Sequence, residues 1–260
     1  MKKILIYCIL IICIISGCKK VKRISYSGVY KLEKQTVSGK GLDTTLVRQQ
    51  IKIYTDRHYI YAGISPDSVV KFGLGTYELD TANTIVEHNI FNSKALDSMQ
   101  IFVVHIKRTN NGFTGTTPEW ARSGDTMYKL TEDYTNVPSL RTSDLDGVWE
   151  LDKIYWVKGK DTTRQHETRF KVFWQGHFMF IHRYPINPVG TLFKNGFGYG
   201  TFSLKGDTLS ETEAMSSHAE LLNRQFAIKL TLKANEYTQV LIDPKTREQT
   251  TEIYKRIRTY

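Results

Sequence analysis

The sequence lacks the residue patterns that most enzyme classes need. Its 260 residues contain no Gly-x-Ser-x-Gly nucleophile elbow and no phosphate-binding loop. Glycine-rich stretches at residues 73–75 and 196–200 precede strand-like segments, which favours a bulge or a sharp strand entry over dinucleotide binding. The seven histidines show no metal-ligand spacing. We therefore expect a chain that is not an enzyme and holds no cofactor or metal.

Cysteine is scarce, and all three copies lie near the start of the chain. Cys8 and Cys13 fall within an apolar run of signal-peptide length, which is shorter than the ~20 residues of a spanning helix. A short membrane span that thins the bilayer is the alternative. Because signal cleavage would remove Cys8 and Cys13, the mature chain would keep only Cys18 and could form no internal disulfide.

The residues around the third cysteine resemble a bacterial lipoprotein signal. Ile15-Ser16-Gly17-Cys18 places a branched aliphatic residue and two small residues directly before a cysteine. The resemblance implies cleavage after residue 17, lipidation of Cys18 and a tether over residues 18–25. It also implies a membrane partner, bound through lipidated Cys18, and a location in the bacterial cell envelope at the outer membrane.

Positive charge is concentrated beside this cysteine. The formal net charge is +10, with two lysines in the signal segment and four cations at residues 19, 20, 22 and 23. Each cation near an anionic membrane surface adds about 1 kcal/mol of attraction. Membrane contact therefore accounts for the basic composition, and we expect no nucleic acid as a partner.

The chain contains an internal sequence repeat. Gly28-Val29-Tyr30-Lys31-Leu32 returns as Gly147-Val148-Trp149-Glu150-Leu151, and residues 52–61 return as 171–180 at the same spacing. Later blocks repeat in the same order, including Glu87 and Glu211. Such self-similarity indicates a duplicated domain. We expect one domain over residues 26–136, a linker over 137–143 and a second domain over 144–260, each folding by itself.

Within each copy the apolar residues alternate with polar ones at a period of two. IKIYT and HYIYA flank a two-residue turn, as do FKVFW and HFMFI in the second copy. Tyrosine, phenylalanine, valine, isoleucine and threonine dominate, which favours pleated strands. The sequence therefore predicts an all-β chain of many short antiparallel strands.

The motifs resemble those of lipocalins and, more closely, of the lipocalin-like lipoproteins of Bacteroidetes. Those proteins carry an opening Gly-x-Trp, a hairpin near Thr-Asp-x-His-Phe, a Gly-Thr-Tyr-x-Leu strand and a glutamate-bearing strand. The corresponding segments here are residues 147–149, 55–59 and 75–79, followed by Glu87. The resemblance implies two tandem lipocalin-like antiparallel β-barrels, and it leaves the function open.

The first hairpin of each copy predicts which face points into the barrel. Because residues paired across a two-residue turn share a face, aromatic side chains collect on one face together with Lys52 or Lys171. The opposite face carries His58 and His177, which we expect to face solvent. The inward aromatic face either fills a solid core or lines a ligand pocket. Its aromatic members are Tyr54, Tyr59, Tyr61, Phe173, Phe178 and Phe180.

One glutamate in each copy interrupts an apolar face. Glu87 alternates with Ile85, Asn89 and Phe91, and Glu211 alternates with Leu209, Glu213 and Met215. An enclosed carboxylate needs a partner or a pKa above its usual ~4.3. We expect Glu87 and Glu211 either to anchor a ligand's hydroxyl, amide or cation, or to lie solvated at the barrel rim.

The leading functional hypothesis is a non-enzymatic, membrane-anchored envelope lipoprotein. It would bind a small apolar or amphipathic ligand in a barrel, or serve as a subunit of an envelope assembly. The rival hypothesis is glycan capture by an exposed row of aromatic residues. A third reading is an enzyme that uses Glu211 as a general base. The candidate glycan-stacking residues are Trp120, Tyr155, Trp156 and Tyr199.

Overall fold

The structure is a computed structural model that describes residues 25–81, 83–94, 99–187, 189, 192–243 and 246–258. Strands in two antiparallel sheets make up 73% of these residues. The expected signal peptide, residues 1–17, and the lipidated Cys18 lie outside the described residues. No helix in the described ranges is long and apolar enough to cross a membrane.

The first half of the chain forms one closed sheet. Its described strands are β1 (Gly28–Gly39), β2 (Leu42–Leu46), β3 (Gln49–Tyr54), β4 (His58–Ile64), β5 (Val70–Thr81), β6 (Thr84–Asn92), β7 (Gln100–Thr109), β8 (Gly112–Ser123) and β9 (Thr126–Val137). Each strand pairs antiparallel with the next in the order of the chain, except that β2 and β3 lie end to end along one edge of β1. Strand β9 pairs with the other edge of β1 and closes an eight-stranded barrel.

The second half repeats this topology. Its described strands are β10 (Gly147–Lys158), β11 (Asp161–Gln165), β12 (Thr168–Trp174), β13 (His177–Pro185), β14 (Phe193–Lys205), β15 (Thr208–Ser216), β16 (Gln225–Lys233), β17 (Glu236–Ile242) and β18 (Gln249–Arg256). Pairing of β10 with β18 closes the barrel, and a short 3-10 helix, Ala219–Leu221, follows β15. The predicted fold class, two tandem antiparallel β-barrels, is confirmed.

Each barrel is filled at the end where its first hairpin turns. Tyr54 and Tyr59 in the first barrel, like Phe173 and Phe178 in the second, are fully buried in aromatic clusters. The aromatic residue of each opening motif completes the plug, because Trp149 Nε1 donates to the Leu145 carbonyl over 2.8 Å. Tyr30 makes the equivalent bond to the Tyr26 carbonyl, also over 2.8 Å. The predicted inward face of the aromatic residues is therefore correct.

A third apolar core lies between the two barrels. It joins the outer faces of β3, β4 and β5 to those of β12, β13 and β14. At its edge the rings of Phe91 and Phe170 lie 4.9 Å apart, and Asn195 donates to the Ser93 carbonyl over 2.8 Å. The barrels therefore share a core, which the expectation of two independently folding domains did not include. Its buried members are Val29, Ile51, Ile53, Ile60, Ala62, Phe72, Leu74, Val148, Phe170, Val172, Met179, Ile181, Phe197 and Tyr199.

The two repeated histidines are buried, and the prediction that they face solvent is wrong. His177 Nε2 lies 3.0 Å from the carbonyl oxygen of Pro138, and its Nδ1 lies 3.0 Å from the Tyr199 hydroxyl. Burial lowers the pKa of both His58 and His177. The residues before the second barrel pack over this site, so the face that seemed outward in one isolated hairpin is covered in the whole chain.

A β-bulge in each barrel changes the side of the sheet on which later residues lie. The register shifts between Leu74 and Gly75 in the first barrel, and between Tyr199 and Gly200 in the second. A Cβ at either Gly75 or Gly200 would fall 1.9 Å from a carbonyl oxygen on the partner strand, so glycine is required there. Phe91 and Met215 follow these bulges and pack into the core between the barrels instead of continuing the inward face of the glutamates.

Candidate functional site

Each barrel interior contains a buried lysine–glutamate ion pair at the same position. Lys52 Nζ lies 2.5 Å from Glu87 Oε1, and Lys171 Nζ lies 2.6 Å from Glu211 Oε1. All four residues are 6% exposed or less. Glu87 and Glu211 are therefore enclosed, and the alternative placement at a solvated rim is wrong. Their charge is tolerated because each carboxylate has a cation within contact distance.

In the first barrel both inward-facing carboxylates have several donors. Glu87 also accepts a hydrogen bond from the hydroxyl of Tyr54. Glu132 accepts from Gln35 Nε2 over 2.7 Å and from Gln50 Nε2 over 3.2 Å. Both carboxylates that face this interior are thus held by neighbouring donors.

In the second barrel the same wall carries more charge. Arg169 replaces Gln50 in the register and lies 2.6 Å from Glu252, which also accepts from Gln239 over 2.6 Å and from Tyr254 over 2.9 Å. Phe173 stands where the first barrel has Tyr54, so it offers Glu211 no hydroxyl. Burial raises the pKa of Glu211, and the ammonium of Lys171 opposes that rise.

Glu213 differs from Glu211 and Glu252 in forming no ion pair within the described residues. It is 3% exposed, and its Oε1 has no hydrogen-bond partner within the described part of the chain. Burial, together with the negative charge of Glu211, raises the pKa of Glu213 to about 8. Room for its side chain exists because Gly198 lacks a Cβ, which would fall 1.9 Å from Glu213 Oε1. The first barrel has Asn89 at this position.

Sequence reasoning did not select Glu213 as a site residue. The alternation that identified Glu211 contains Glu213 two residues later, so the signal was present. What the pattern could not show was that the lysine partner serves Glu211 alone. Two acids on one inward face with one inward lysine would have predicted an unsatisfied carboxyl group.

The end of each barrel opposite its filled end is hollow. The first barrel encloses a cavity of ≈ 210 Å³ and the second a cavity of ≈ 260 Å³. Glu87 and Tyr61 line the first, and Glu211, Glu213 and Phe180 line the second. Each barrel therefore has a filled aromatic end and a hollow end, and ligand binding in the hollow end stays a prediction.

Four of the predicted ligand-binding residues do not line these cavities. Tyr54, Tyr59, Phe173 and Phe178 pack in the filled ends, so they hold the fold and contact no described cavity. They lie beside the hairpin turn, at the filled end of each barrel. Of the predicted aromatic residues, only Tyr61 and Phe180, which pair with Lys52 and Lys171 in the middle of each hairpin, line a cavity.

The four aromatic residues of the glycan hypothesis do not form an exposed row. Trp120 lines the cavity of the first barrel, and Tyr199 is buried in the core between the barrels. Trp156 is 55% exposed, and its neighbour Tyr155 lies on the opposite face of β10. A sugar-stacking platform needs coplanar exposed rings, which these positions do not provide.

Two histidines cover the mouth of the second cavity. His182 Nε2 lies 3.0 Å from His218 Nε2, and His182 Nδ1 lies 3.6 Å from Glu167. Burial lowers the pKa of both imidazoles, so the neutral forms are favoured at neutral pH. No group of three or more histidine, cysteine, aspartate or glutamate residues in the described ranges could hold a metal ion.

A larger groove of ≈ 400 Å³ lies on the outside of the second barrel, beside His166 and Phe193. None of the buried acids Glu211, Glu213 and Glu252 reaches its lining. Volume alone would select this groove. The buried, incompletely paired acid selects the barrel interior, which is the better candidate because a specific ligand needs convergent polar groups.

The comparisons with known proteins add little to this geometry. No protein-family model and no curated protein matches the chain. Among solved structures, the chain is similar to a protein of unknown function from the DUF3598 family of Nostoc punctiforme. The alignment covers 89% of this chain and 96% of that chain at 10% identity, with a TM-score of 0.27. A TM-score this low supports no conclusion, and kinship with lipocalin-like lipoproteins stays a prediction.

Proposed function

We propose that the chain is a non-enzymatic envelope lipoprotein that binds a small amphipathic molecule inside its second barrel. The observation that carries the proposal is Glu213, a buried carboxyl group at a cavity whose Oε1 has no partner among the described residues. Buried polar groups are almost always hydrogen-bonded, and each exception calls for an explanation. A ligand that supplies the missing donor is that explanation.

The charges around Glu213 define the polar end of the ligand. Arg169 is engaged by Glu252, and Lys171 by Glu211, so the nearby cations are already paired. The group that remains to be satisfied is an acceptor. The ligand should therefore present an N–H or O–H donor, and an ammonium group would gain most from the ionised carboxylate.

The rest of the cavity defines the apolar end. Phe180, Phe226, Ile228 and Leu241 line the same ≈ 260 Å³ space. This volume is below the usual 300–1,000 Å³ or so of drug-sized sites, so the ligand should be small. A short alkyl or aryl amine combines both requirements.

The composition of the lining supports binding over catalysis. An acid with a raised pKa is also what a general base requires, and Glu211 or Glu213 could fill that role. Among the described lining residues of this cavity, however, no serine, threonine or cysteine stands beside them as a nucleophile. The paired cations hold the acids in place and leave a binding site.

The membrane part of the proposal rests on the sequence around Cys18. Acylation of Cys18 would tether the mature chain to the envelope, with outer-membrane placement, and its tether would bring the four cations to the lipid surface. Mass spectrometry of the protein purified from membranes should show a diacylglycerol mass on Cys18. Cys18→Ser should leave an uncut, unmodified precursor, and an unmodified Cys18 in the wild type would contradict the anchor.

The ligand site is tested with octylamine as the probe. We expect isothermal titration calorimetry to show binding that Glu213→Gln weakens about tenfold or more, since it removes a charged hydrogen bond. Affinity should rise between pH 6 and pH 8, because the carboxyl group with a pKa of about 8 must lose its proton to pair with the ammonium.

Glu220→Gln serves as the matched control at the same cavity. Glu220 lines the cavity, but its side chain is 67% exposed, so its neutralisation should change affinity little. The proposed site would be overturned if Glu213→Gln bound octylamine as tightly as the wild type does. Circular dichroism must show that Glu213→Gln and Glu220→Gln are both folded.

A further inference from the structure

The mouth of the first barrel carries three cations around a glycine. Gln50, Gly63 and Lys71 lie side by side in the cross-strand register, and Gly63 has no side chain to fill the row. The stem of Arg48 crosses this gap, with its Cδ 3.1 Å from where a Cβ of Gly63 would lie. Lys94, which follows β6, completes the rim of the same cavity. We call Arg48, Lys71 and Lys94 the mouth cations.

The same five positions are filled differently in the second barrel. Arg169, His182 and Gly196 form the equivalent row, with Glu167 two residues before Arg169. His218 lies two residues after β15 ends, as Lys94 lies two residues after the end of β6. Glu167 contacts both Arg169 and His182, and His182 contacts His218. The charged and imidazole groups at the second mouth therefore contact one another.

The mouth cations have no such arrangement. None of them forms an ion pair with a carboxylate in the part of the chain that the structure describes, and Arg48 Nε is buried there without a hydrogen-bond partner. The two acids of the cavity, Glu87 and Glu132, are already held by internal donors. Asp67 attracts Arg48 and Lys71 from the β4–β5 turn, but it is fully exposed and solvent screens it.

The cations also repel one another. Burial, and then the charges of Arg48 and Lys94, lower the pKa of Lys71. Three like charges around one opening destabilise the empty site, and an anion bound between them would relieve that repulsion. Asn89 and Asn92, both buried beside the cavity, add amide donors behind the cations.

We propose that the mouth cations form an anion site that takes the carboxylate or phosphate group of a small molecule in the first barrel. The aromatic rings of Phe102 and Trp120 line the same ≈ 210 Å³ cavity and would receive any apolar part of that molecule. This site is separate from the amine site of the second barrel. It therefore stands or falls by itself.

The test uses the full mature chain and three probes: octanoate, octyl phosphate and inorganic phosphate. We expect calorimetry to show binding that the double variant Arg48→Gln/Lys71→Gln weakens at least about tenfold, since two charge-assisted contacts are lost. Lys107→Gln, which removes an exposed cation of β7, is the matched control and should bind like the wild type. Binding should weaken as salt is raised from 50 to 500 mM or so, because the mouth is open to screening ions.

The three probes separate the possible sources of the anion. Octyl phosphate binding about tenfold more tightly than inorganic phosphate would assign the site to the head group of an amphiphile, and equal binding would assign it to a free anion. Either result supports the anion site. The fluorescence of Trp120, isolated by comparison with Trp120→Phe, should change on binding in both cases.

The proposal is overturned if none of the three anions binds, or if the double variant binds them as the wild type does. Octylamine displacing octanoate from the first barrel would equally contradict a site selective for anions. The double variant must keep the circular dichroism spectrum of the wild type and melt at no lower temperature, which we expect because the mouth cations repel one another and make no ion pair among the described residues.

Discussion

The two barrels share one backbone arrangement but carry different charged side chains at equivalent positions of their interiors. Both barrels have the same strand register, the same β-bulge, the same aromatic cluster at the filled end and the same buried lysine–glutamate pair. At the mouth, Arg48 and Lys71 of the first barrel stand where Glu167 and Gly196 stand in the second. Duplication has preserved the backbone and core, while a few inward positions have changed charge. On the proposals above, a small number of inward residues would determine which ligand each barrel binds.

A second difference lies deeper in the barrels. Glu87 has both Lys52 and the Tyr54 hydroxyl as partners, whereas Glu211 lies opposite Phe173 and depends on Lys171. Replacing a tyrosine with a phenylalanine removes one donor without changing the packing. The second barrel is therefore the less completely satisfied of the two, and burial raises the pKa of both Glu211 and Glu213.

The largest effect should come from separating the barrels. Each buried isoleucine or phenylalanine that loses its cover costs about 1.5–3 kcal/mol, and the shared core contains several from each half. That sum exceeds the roughly 5–15 kcal/mol that stabilises a typical domain. We expect fragments divided at Ser139 to lack a cooperative melt when alone and to regain one when mixed.

A full chain cleaved at Ser139 after folding is the control for the divided fragments. It should keep its cooperative melt, because the shared core holds the halves together without the peptide bond. Fragments that each melt cooperatively at the temperature of the intact chain would show that the barrels are independent.

The next effect should come from the buried lysines, and it should differ between the barrels. Lys171→Met leaves Glu211 without its main partner and should cost about 3–5 kcal/mol of unfolding free energy. Lys52→Met should cost less, because the hydroxyl of Tyr54 still donates to Glu87. Urea unfolding at pH 7 measures both, and a greater loss in Lys52→Met would refute the comparison.

A smaller effect concerns the pH dependence of stability. Because the folded pKa of Glu213 is about 8, above the usual ~4.3 of an unfolded glutamate, the folded state binds the extra proton between these values. Stability should therefore fall as pH rises from about 4.3 to 8, by at most about 1.4 kcal/mol per pH unit. Glu213→Gln should lose this slope.

The unfolding free energies of the wild type and Glu213→Gln are best compared between pH 6.5 and pH 8.5 or so, by urea unfolding. The lowered pKa values of His182 and His218 act in the opposite direction, since those groups reduce stability as pH falls below about 6.5. Identical slopes for the wild type and Glu213→Gln across this range would mean that Glu213 titrates normally.

The smallest effect concerns the stability contributed by equivalent residues at the two barrel mouths, Glu167 and Arg48. Glu167→Gln should destabilise the protein by about 1–3 kcal/mol, because Glu167 contacts Arg169 and His182. Arg48→Gln, at the equivalent position, should change stability by no more than about 0.5 kcal/mol. Thermal unfolding of the two variants tests this, and a loss as large in Arg48→Gln would assign Arg48 a structural role.

Much of this arrangement could be predicted from alternation alone. The inward position of the aromatic residues, Lys52 and Lys171 follows from a period of two and a short turn, whereas alternation left Glu87 and Glu211 either enclosed or at the rim. The glycine-rich stretches at 73–75 and 196–200 indicated a bulge or a sharp strand entry, and the bulges do lie at Gly75 and Gly200. The effect of the bulges on the facing strands could not be predicted, because a register shift depends on the partner strand. The bulges moved Phe91 and Met215 to the other face of the sheet.

The core between the barrels was missed for a different reason. Ile53 and Ile60, like Val172 and Met179, are apolar on the face taken as outward, so both faces of these hairpins are apolar. Strands buried on two sides show this pattern. The histidines His58 and His177 on the same face obscured it, because histidine next to a turn is usually solvated.

The most direct test of the account is a crossed titration of octylamine and octanoate. Both ligands are titrated into the wild type, Glu213→Gln and Arg48→Gln/Lys71→Gln by calorimetry. The account predicts that Glu213→Gln weakens octylamine about tenfold or more and leaves octanoate unchanged, while the double variant does the reverse. Loss of both ligands in either variant, or of neither in both, would contradict two barrels with one frame and opposite binding chemistry.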